Sequence, residues 1–302
     1  MPYKKNADGV AAYYYKKRKQ KDRVIQKDWF AENGYKKDRP YPVDFYKYVE
    51  RTLTRPLRAY WAFMTDGDGS IDHKYGRVKV QLTAREPIQY LADLYGTSIS
   101  LCQFPEEKTY KDSYIVRLNG QRAFHFIKMI CPYMIEKKHL ALFLINQKEP
   151  NYHPPKIPMN FKKYPELLKI HMAMVGGFFD SEGSVGIKIR TQKWKTKTKG
   201  IRFYNSFTQW IHFSNTDLRP LRKIKKILES SPFIFKPKIY TATRKKLNKK
   251  GELQKLTYEL AIPAPQHLLF MELFAPYMLI GHKKDWLEKF HMKKQITAIC
   301  KK

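Results

Sequence analysis

The stretch WAFMTDGDGSI at residues 61–71 returns as VGGFFDSEGSV at residues 175–185. In both copies an apolar run, read as a helix, ends in acid, small residue, acid, glycine: Asp66, Gly67, Asp68, Gly69, and then Asp180, Ser181, Glu182, Gly183. The last turn of a helix leaves carbonyls without partners and carries partial negative charge, while a glycine just past it lets the chain turn into a strand. Carboxylates at that end oppose the helix dipole and cost stability. A costly placement made twice asks for a cation, and carboxylate and carbonyl oxygens together suit Mg²⁺ or Mn²⁺.

A second pair of landmarks lies further along each copy: CPYMIEKKHLAL at 131–142 and APYMLIGHKKDWL at 275–287. Two copies of one unit imply a pseudo-two-fold molecule. The expected organisation is a basic extension at 1–56, a first unit at 57–150, a Pro-rich linker at 151–165, a second unit at 166–294 and a basic tail at 295–302. The first unit reads as an apolar helix near 57–65, strands, a short helix near 87–95, more strands, and one long helical run over 121–147. The fold class expected is mixed α+β.

The strand at 77–83 alternates, with Val78, Val80 and Leu82 on one face and Arg77, Lys79, Gln81 and Thr83 on the other, so one face packs on helices while the other meets something polar and anionic. In the second copy Lys188, Arg190 and Gln192 alternate with Ile187 and Ile189, and Lys193, Lys195 and Lys197 resume the period in the opposite phase. With His212 these form the candidate nucleic-acid-binding set. A two-stranded ribbon fits the major groove of DNA, where Gln, Arg and Lys read base edges and neighbouring lysines hold phosphates.

Composition agrees. The 302 residues carry 59 Lys+Arg against 27 Asp+Glu, a formal charge of +32, with 43% apolar and 15% aromatic residues. A core is affordable, and such a charge surplus points to nucleic acid ahead of an anionic membrane surface. No window approaches a membrane span and the opening residues lack a signal-peptide core, so a soluble, intracellular protein is expected. Composition leaves open an organelle, whether mitochondrion or chloroplast, or a phage or bacterial cytoplasm. Cys102, Cys131 and Cys300 are too scattered for a disulfide framework or a zinc site. No phosphate-binding loop or nucleophile motif appears.

A helix followed by DxDG or DxEG, twice in one basic chain, resembles the LAGLIDADG homing endonucleases in their single-chain form, and the resemblance covers roughly 57–294. It implies an αββαββα unit made twice, motif helices packed at the pseudo-two-fold, and two antiparallel sheets forming a saddle over double-stranded DNA. It implies metal-dependent phosphodiester hydrolysis by a monomer, with Asp68 and Glu182 as catalytic metal ligands and Gly67 and Ser181 offering backbone carbonyls. The lysine after each PYM, Lys137 and Lys283, stands where the family has a helix-entry lysine, with Lys138 and Lys284 one residue away; a plain helix-capping role is the alternative for each. Small residues Ala62, Gly176 and Gly177 suit close helix packing, whereas Phe63 stands where the family usually has Gly. A non-cleaving RNA-binding descendant, such as an intron maturase or a subunit of a large RNA particle, is the competing reading, favoured by the charge surplus and by the 1–56 extension.

Overall fold

The computed structural model describes residues 43–103, 112–160, 163–196, 200–233, 235–242, 255–286 and 289, and for 187–196 and 200–207 the backbone course. The first unit runs α1 (Val43–Thr52), α2 (Arg55–Asp68), β1 (Gly69–Asp72), β2 (Arg77–Leu82), α3 (Arg85–Leu94), β3 (Ile99–Cys102), β4 (Ser113–Asn119), α4 (Gly120–Ile130) and α5 (Lys138–Asn146). The second runs α6 (Glu166–Glu182), β5 (Gly183–Thr196), β6 (Gly200–Asn215), α7 (Leu218–Ser230), β7 (Lys238–Thr241), β8 (Tyr258–Ala261), α8 (His267–Phe274) and α9 (Gly281–Lys284). From α2 and from α6 the order αββαββα is met twice. The sheets repeat the same topology, β1-β2-β4-β3 and β5-β6-β8-β7, with all neighbours antiparallel.

The motif helices α2 and α6 form the centre. Pro56 sits in the first turn of α2, where its missing N–H costs nothing. Both helices stop at a glycine in extended conformation, whose N–H returns to Thr65 O in one copy and Phe179 O in the other. Residues 59–66 of α2 and 170–180 of α6 are buried without a break, so neither helix keeps a solvent face there. Together they nucleate one hydrophobic core spanning both units.

At their crossing the packing is partly as expected. A Cβ added at Gly177 would collide with the backbone carbonyl of Tyr60, so this glycine lets the two helices touch backbone to backbone. Gly176 does something else: its missing Cβ would lie 2.7 Å from Tyr277 O, so it admits the PYM turn of its own unit and not the opposite helix. Ala62 is fully buried. Phe63 packs edge to face on Phe178 of α6, ring centroids 5.8 Å apart, so an aromatic pair fills the space a smaller residue leaves elsewhere in the interface.

One further expectation changes. The single helix over 121–147 is broken into α4, a 3-10 turn (Cys131–Tyr133) and α5. Pro132 cannot donate into a helical ladder, and the N–H groups of Ile135 and Lys137 go to the Asp66 carboxylate instead, 2.7 and 2.9 Å away. Part of the 1–56 extension packs on the first unit: α1 buries Phe45, Val49 and Leu53, Arg58 donates to Leu53 O and Glu50 O, and Glu50 meets His125 at 3.3 Å. The linker lies against the core through Tyr152, Ile157, Met159 and Tyr164. Residues 1–42, the tail 295–302 and Lys197 lie outside the described residues.

Gly177 and Gly281 make a matched test of the crossing. Gly177→Ala is expected to cost about 1–3 kcal/mol in denaturant unfolding because backbone must move, whereas Gly281→Ala, with open space around the new methyl group, stays within about 0.5 kcal/mol of wild type.

Candidate active site between the two units

Each motif helix delivers its two acids to different places. The first acid turns inward. Asp66 is fully buried and takes the Ile135 and Lys137 N–H groups; Asp180, 2% exposed, takes Leu279 N–H at 2.6 Å and Ile280 N–H at 3.1 Å. In both copies, therefore, a carboxylate at the end of the motif helix holds the turn that precedes the lysine. The arrangement is not quite symmetric, because Asp180 Oδ2 also accepts from the Tyr60 hydroxyl of the opposite unit at 2.8 Å.

The lysines return to the same helix ends. Lys137 Nζ donates to the carbonyls of Thr65, Asp66 and Gly67. Lys283 Nζ donates to Phe179 O at 2.6 Å, Asp180 O at 2.8 Å and Gly183 O at 2.9 Å. Each ammonium thereby caps a helix C-terminus, using its three N–H bonds on carbonyls of the last turn and, for Lys283, on that of Gly183 just past it; Thr65 O and Phe179 O accept from the terminal glycine N–H as well. Lys137 and Lys283, not Lys138 and Lys284, are the equivalent pair despite the longer second segment. Part of the cation demand read from the sequence is met by these ammoniums, and Gly67 O, expected to be open to a metal, already accepts from Lys137.

The second acid of each motif stays at the junction. Gly67 of α2 lies against Ser181 and Glu182 of α6, so the two helix ends adjoin. Asp68 faces an open cleft of about 870 Å³, lined by Lys79, Gln81 and Thr83 of its own unit and by His282 and Lys283 of the other. Desolvation by the cleft walls pushes the Asp68 carboxyl up to about 6, and Lys283 followed by Lys137 pulls it back. Glu182 is pushed to about 7 by burial and by the Asp68 and Glu136 charges, against Lys137 and then Lys283. Each acid thus feels the lysine of the opposite unit more strongly than its own. Burial holds both ammoniums below their ordinary pKa, while the carboxylates around them oppose that shift.

Neither Asp68 nor Glu182 accepts a hydrogen bond from the described residues. Two carboxylates with raised pKa values and no protein donors, beside a cleft with room for phosphate, fit a divalent cation that completes its shell with water and substrate oxygens. No group of three or more His, Cys, Asp and Glu side chains could hold a metal alone among the described residues.

The candidate binding face is partly in view. Arg77 is exposed over the Tyr75 ring at 5.2 Å, Lys79 pairs in register with Arg117, and Gln81 Nε2 donates to Ser113 Oγ at 2.7 Å. The opposite parity, Val78, Val80 and Leu82, is buried as alternation predicts. In the second sheet Lys188, Arg190 and Gln192 stand opposite Thr208, Ser206 and Tyr204, on the parity of Ser184 and His212, while Lys193 and Lys195 stand on the other parity. Those two groups of basic positions therefore belong to different strand faces. Glu136 and His282, matched positions before the two lysines, were not singled out by sequence, nor was Tyr60. For Tyr60 a signal existed: its counterpart in the second copy is Met174, and a phenol facing a thioether across a repeat marks a polar contact made once.

No protein-family model and no curated protein matches the chain. Among solved structures it is similar to the LAGLIDADG homing endonuclease I-SmaMI bound to cleaved DNA, at 13% identity over 81% of this chain and 90% of that one, TM-score 0.45. It is similar to the LAGLIDADG meganuclease I-AabMI bound to uncleaved DNA, at 13% identity over 80% and 91%, TM-score 0.46. A third likeness is to I-SmaMI with an uncleaved DNA target and calcium ions, at 13% identity over 80% and 92%, TM-score 0.42.

The raised carboxyl pKa values give a stability test with a definite sign. Asp68 and Glu182 bind protons more tightly in the folded chain than in the unfolded one, so their contribution is fully present below about pH 4 and is lost as pH rises through about 6 to 7. Asp68→Asn with Glu182→Gln is therefore expected to raise the melting temperature of the metal-free chain at pH 7.5 relative to wild type, and to leave the difference near zero at pH 4. If these carboxylates hold a divalent cation, added Mg²⁺ stabilises wild type at pH 7.5 and leaves the double variant unmoved; an equal Mg²⁺ response in both would rule them out as its ligands.

Proposed function

We propose that the chain is a LAGLIDADG homing endonuclease that cuts double-stranded DNA by metal-dependent phosphodiester hydrolysis, acting as a monomer with one site per strand. The observation that carries this reading is the junction of the motif helices. There two second-position acids, each beside a lysine of the opposite unit, sit where the ends of the two motif helices adjoin and lead into the two sheets. Asp68 and Glu182 are the residues that would hold Mg²⁺ or Mn²⁺, with Ser181 O as a further candidate oxygen. A divalent cation bound there supplies Lewis acidity toward the phosphate and lowers the pKa of water that attacks it. Lys137 and Lys283 add fixed positive charge where negative charge grows in the transition state, and their carbonyl caps hold that charge still without a reorganisation cost. Lys79, Gln81 and Thr83 line the approach to Asp68 and would orient the strand passing through the cleft.

The fold supplies the rest of the argument. Arg77, Lys79 and Arg117 place positive charge on one face of the first sheet, suited to phosphates, while Gln81 and Asn119 bring hydrogen-bonding tips of the kind that read base edges. The charge of +32 exceeds what such a face needs, and this surplus is the specific feature that favours structured RNA as a second partner. No helix among the described residues is long and apolar enough to cross a membrane.

The test is a pool of randomised DNA duplexes incubated with the purified chain and Mg²⁺, with recovered cut ends sequenced and a structured RNA pool bound in parallel. Double-strand cuts at one recurring sequence are expected, with Asp68→Asn or Glu182→Gln slowing cleavage by about a thousandfold while duplex binding stays within about twofold. Tight capture of one RNA with no cut duplex would overturn the nuclease and establish the RNA-binding descendant.

A further inference from the structure

The duplicated clamp has one connection without a twin. Asp66 uses its two oxygens on the N–H groups of its own unit, Ile135 to Oδ2 and Lys137 to Oδ1. Asp180 gathers three donors on Oδ2, the N–H groups of Leu279 and Ile280 and the Tyr60 hydroxyl, while its Oδ1 is buried with no partner among the described residues. Tyr60 is 1% exposed and lies on α2, the helix that ends at Asp68. The matching position on α6 is Met174, which has no hydroxyl to offer Asp66.

From Asp180 the chain of contacts runs on without a gap. Ile280, held by Asp180 through its N–H, accepts through its carbonyl from the Lys283 and Lys284 N–H groups at 3.1 and 3.3 Å, which starts α9. Lys283 then folds back to cap α6 and lines the cleft that holds Asp68. We infer that Tyr60 is a positioning residue: through Asp180 and the 279–280 turn it sets the place of Lys283, so that the helix bearing Asp68 also orients the lysine serving Asp68. This rests on the endonuclease reading for its functional half. The circuit bears most directly on Asp68, for which Lys283 is the stronger of the two lysines, whereas Glu182 is served first by Lys137 and only second by Lys283, so the two strand cuts should respond unequally.

Tyr60→Phe removes the hydroxyl and keeps the ring, and Tyr60→Met installs the residue of the other copy. On a duplex chosen by wild type from the randomised pool and labelled on each strand, Lys283→Ala first identifies the strand served by that lysine. Single-turnover cleavage of the same strand by Tyr60→Phe is expected to fall about tenfold, and that of the other strand to stay within about twofold, at unchanged duplex affinity. A general packing defect would slow both strands alike, and equal slowing or none overturns the inference while leaving the nuclease standing. Amide hydrogen exchange supplies a measure independent of cleavage. The Leu279, Ile280 and Lys283 amides should exchange faster in both Tyr60 variants, with those of Ile135 and Lys137 unchanged. Uniform exchange rates across all five amides overturn the positioning role, including for a wild-type chain that cuts no DNA, which by itself would defeat only the nuclease reading.

Discussion

Two helices that meet at their C-terminal ends bring two negative dipole ends and four carboxylates into one small volume. That concentration of negative charge is unfavourable, and much of the surrounding architecture answers it. Asp66 and Asp180 are made tolerable inside by backbone N–H groups, which forces the chain after each PYM to turn back toward the motif helix. That return carries Lys137 and Lys283 onto the carbonyls of the helix ends. Burial leaves all four carboxyls well above the ordinary range, but Asp68 and Glu182 have no donor among the described residues, and their remaining need for positive charge is what a divalent cation can meet.

Hydrophobic packing makes such a concentration of charge affordable. The aromatic contacts of Phe63 with Phe178, of Phe178 and Phe179 with Phe213, and of Phe179 with Phe270 tie α2 to α6, and α6 to β6 and α8. With the helix backbones in contact at Gly177 and Tyr60, the acids cannot drift apart to relieve their repulsion. Rigidity in the core is thus converted into fixed electrostatics at the junction.

Much of this was legible in the sequence because it is written locally and twice. The motif acids, the terminal glycines and the PYM lysines recur at matching places, and β2 alternates plainly; the αββαββα order and the pairing of acids with lysines are anticipated through the family resemblance those motifs carry. What could not be read depends on contacts between segments far apart in the chain. Helical spacing does not say whether Gly176 or Gly177 meets the opposite helix, since adjacent residues point about 100° apart around the axis. The break after Ile130 hid inside an apolar run, although Pro132 stood in plain view. The cross-unit influence of Lys283 on Asp68 follows from how two units dock, which no single repeat records. Lys193 and Lys195 show the limit of periodicity: it placed them correctly in opposite phase to Lys188, and the register assigns that phase to a different face of the sheet.

Covalent fusion of the two units has a consequence visible in the pair Tyr60 and Met174. In a homodimer every interface substitution appears twice and must suit its own image across the axis. Within one chain each half accumulates changes alone, so a hydroxyl can be gained on one side while a thioether persists on the other. Glu136 facing one site and His282 the other is a second product of that freedom. The repeated unit thereby presents a distinguishable left and right, with a different neighbour at each of the two matched positions.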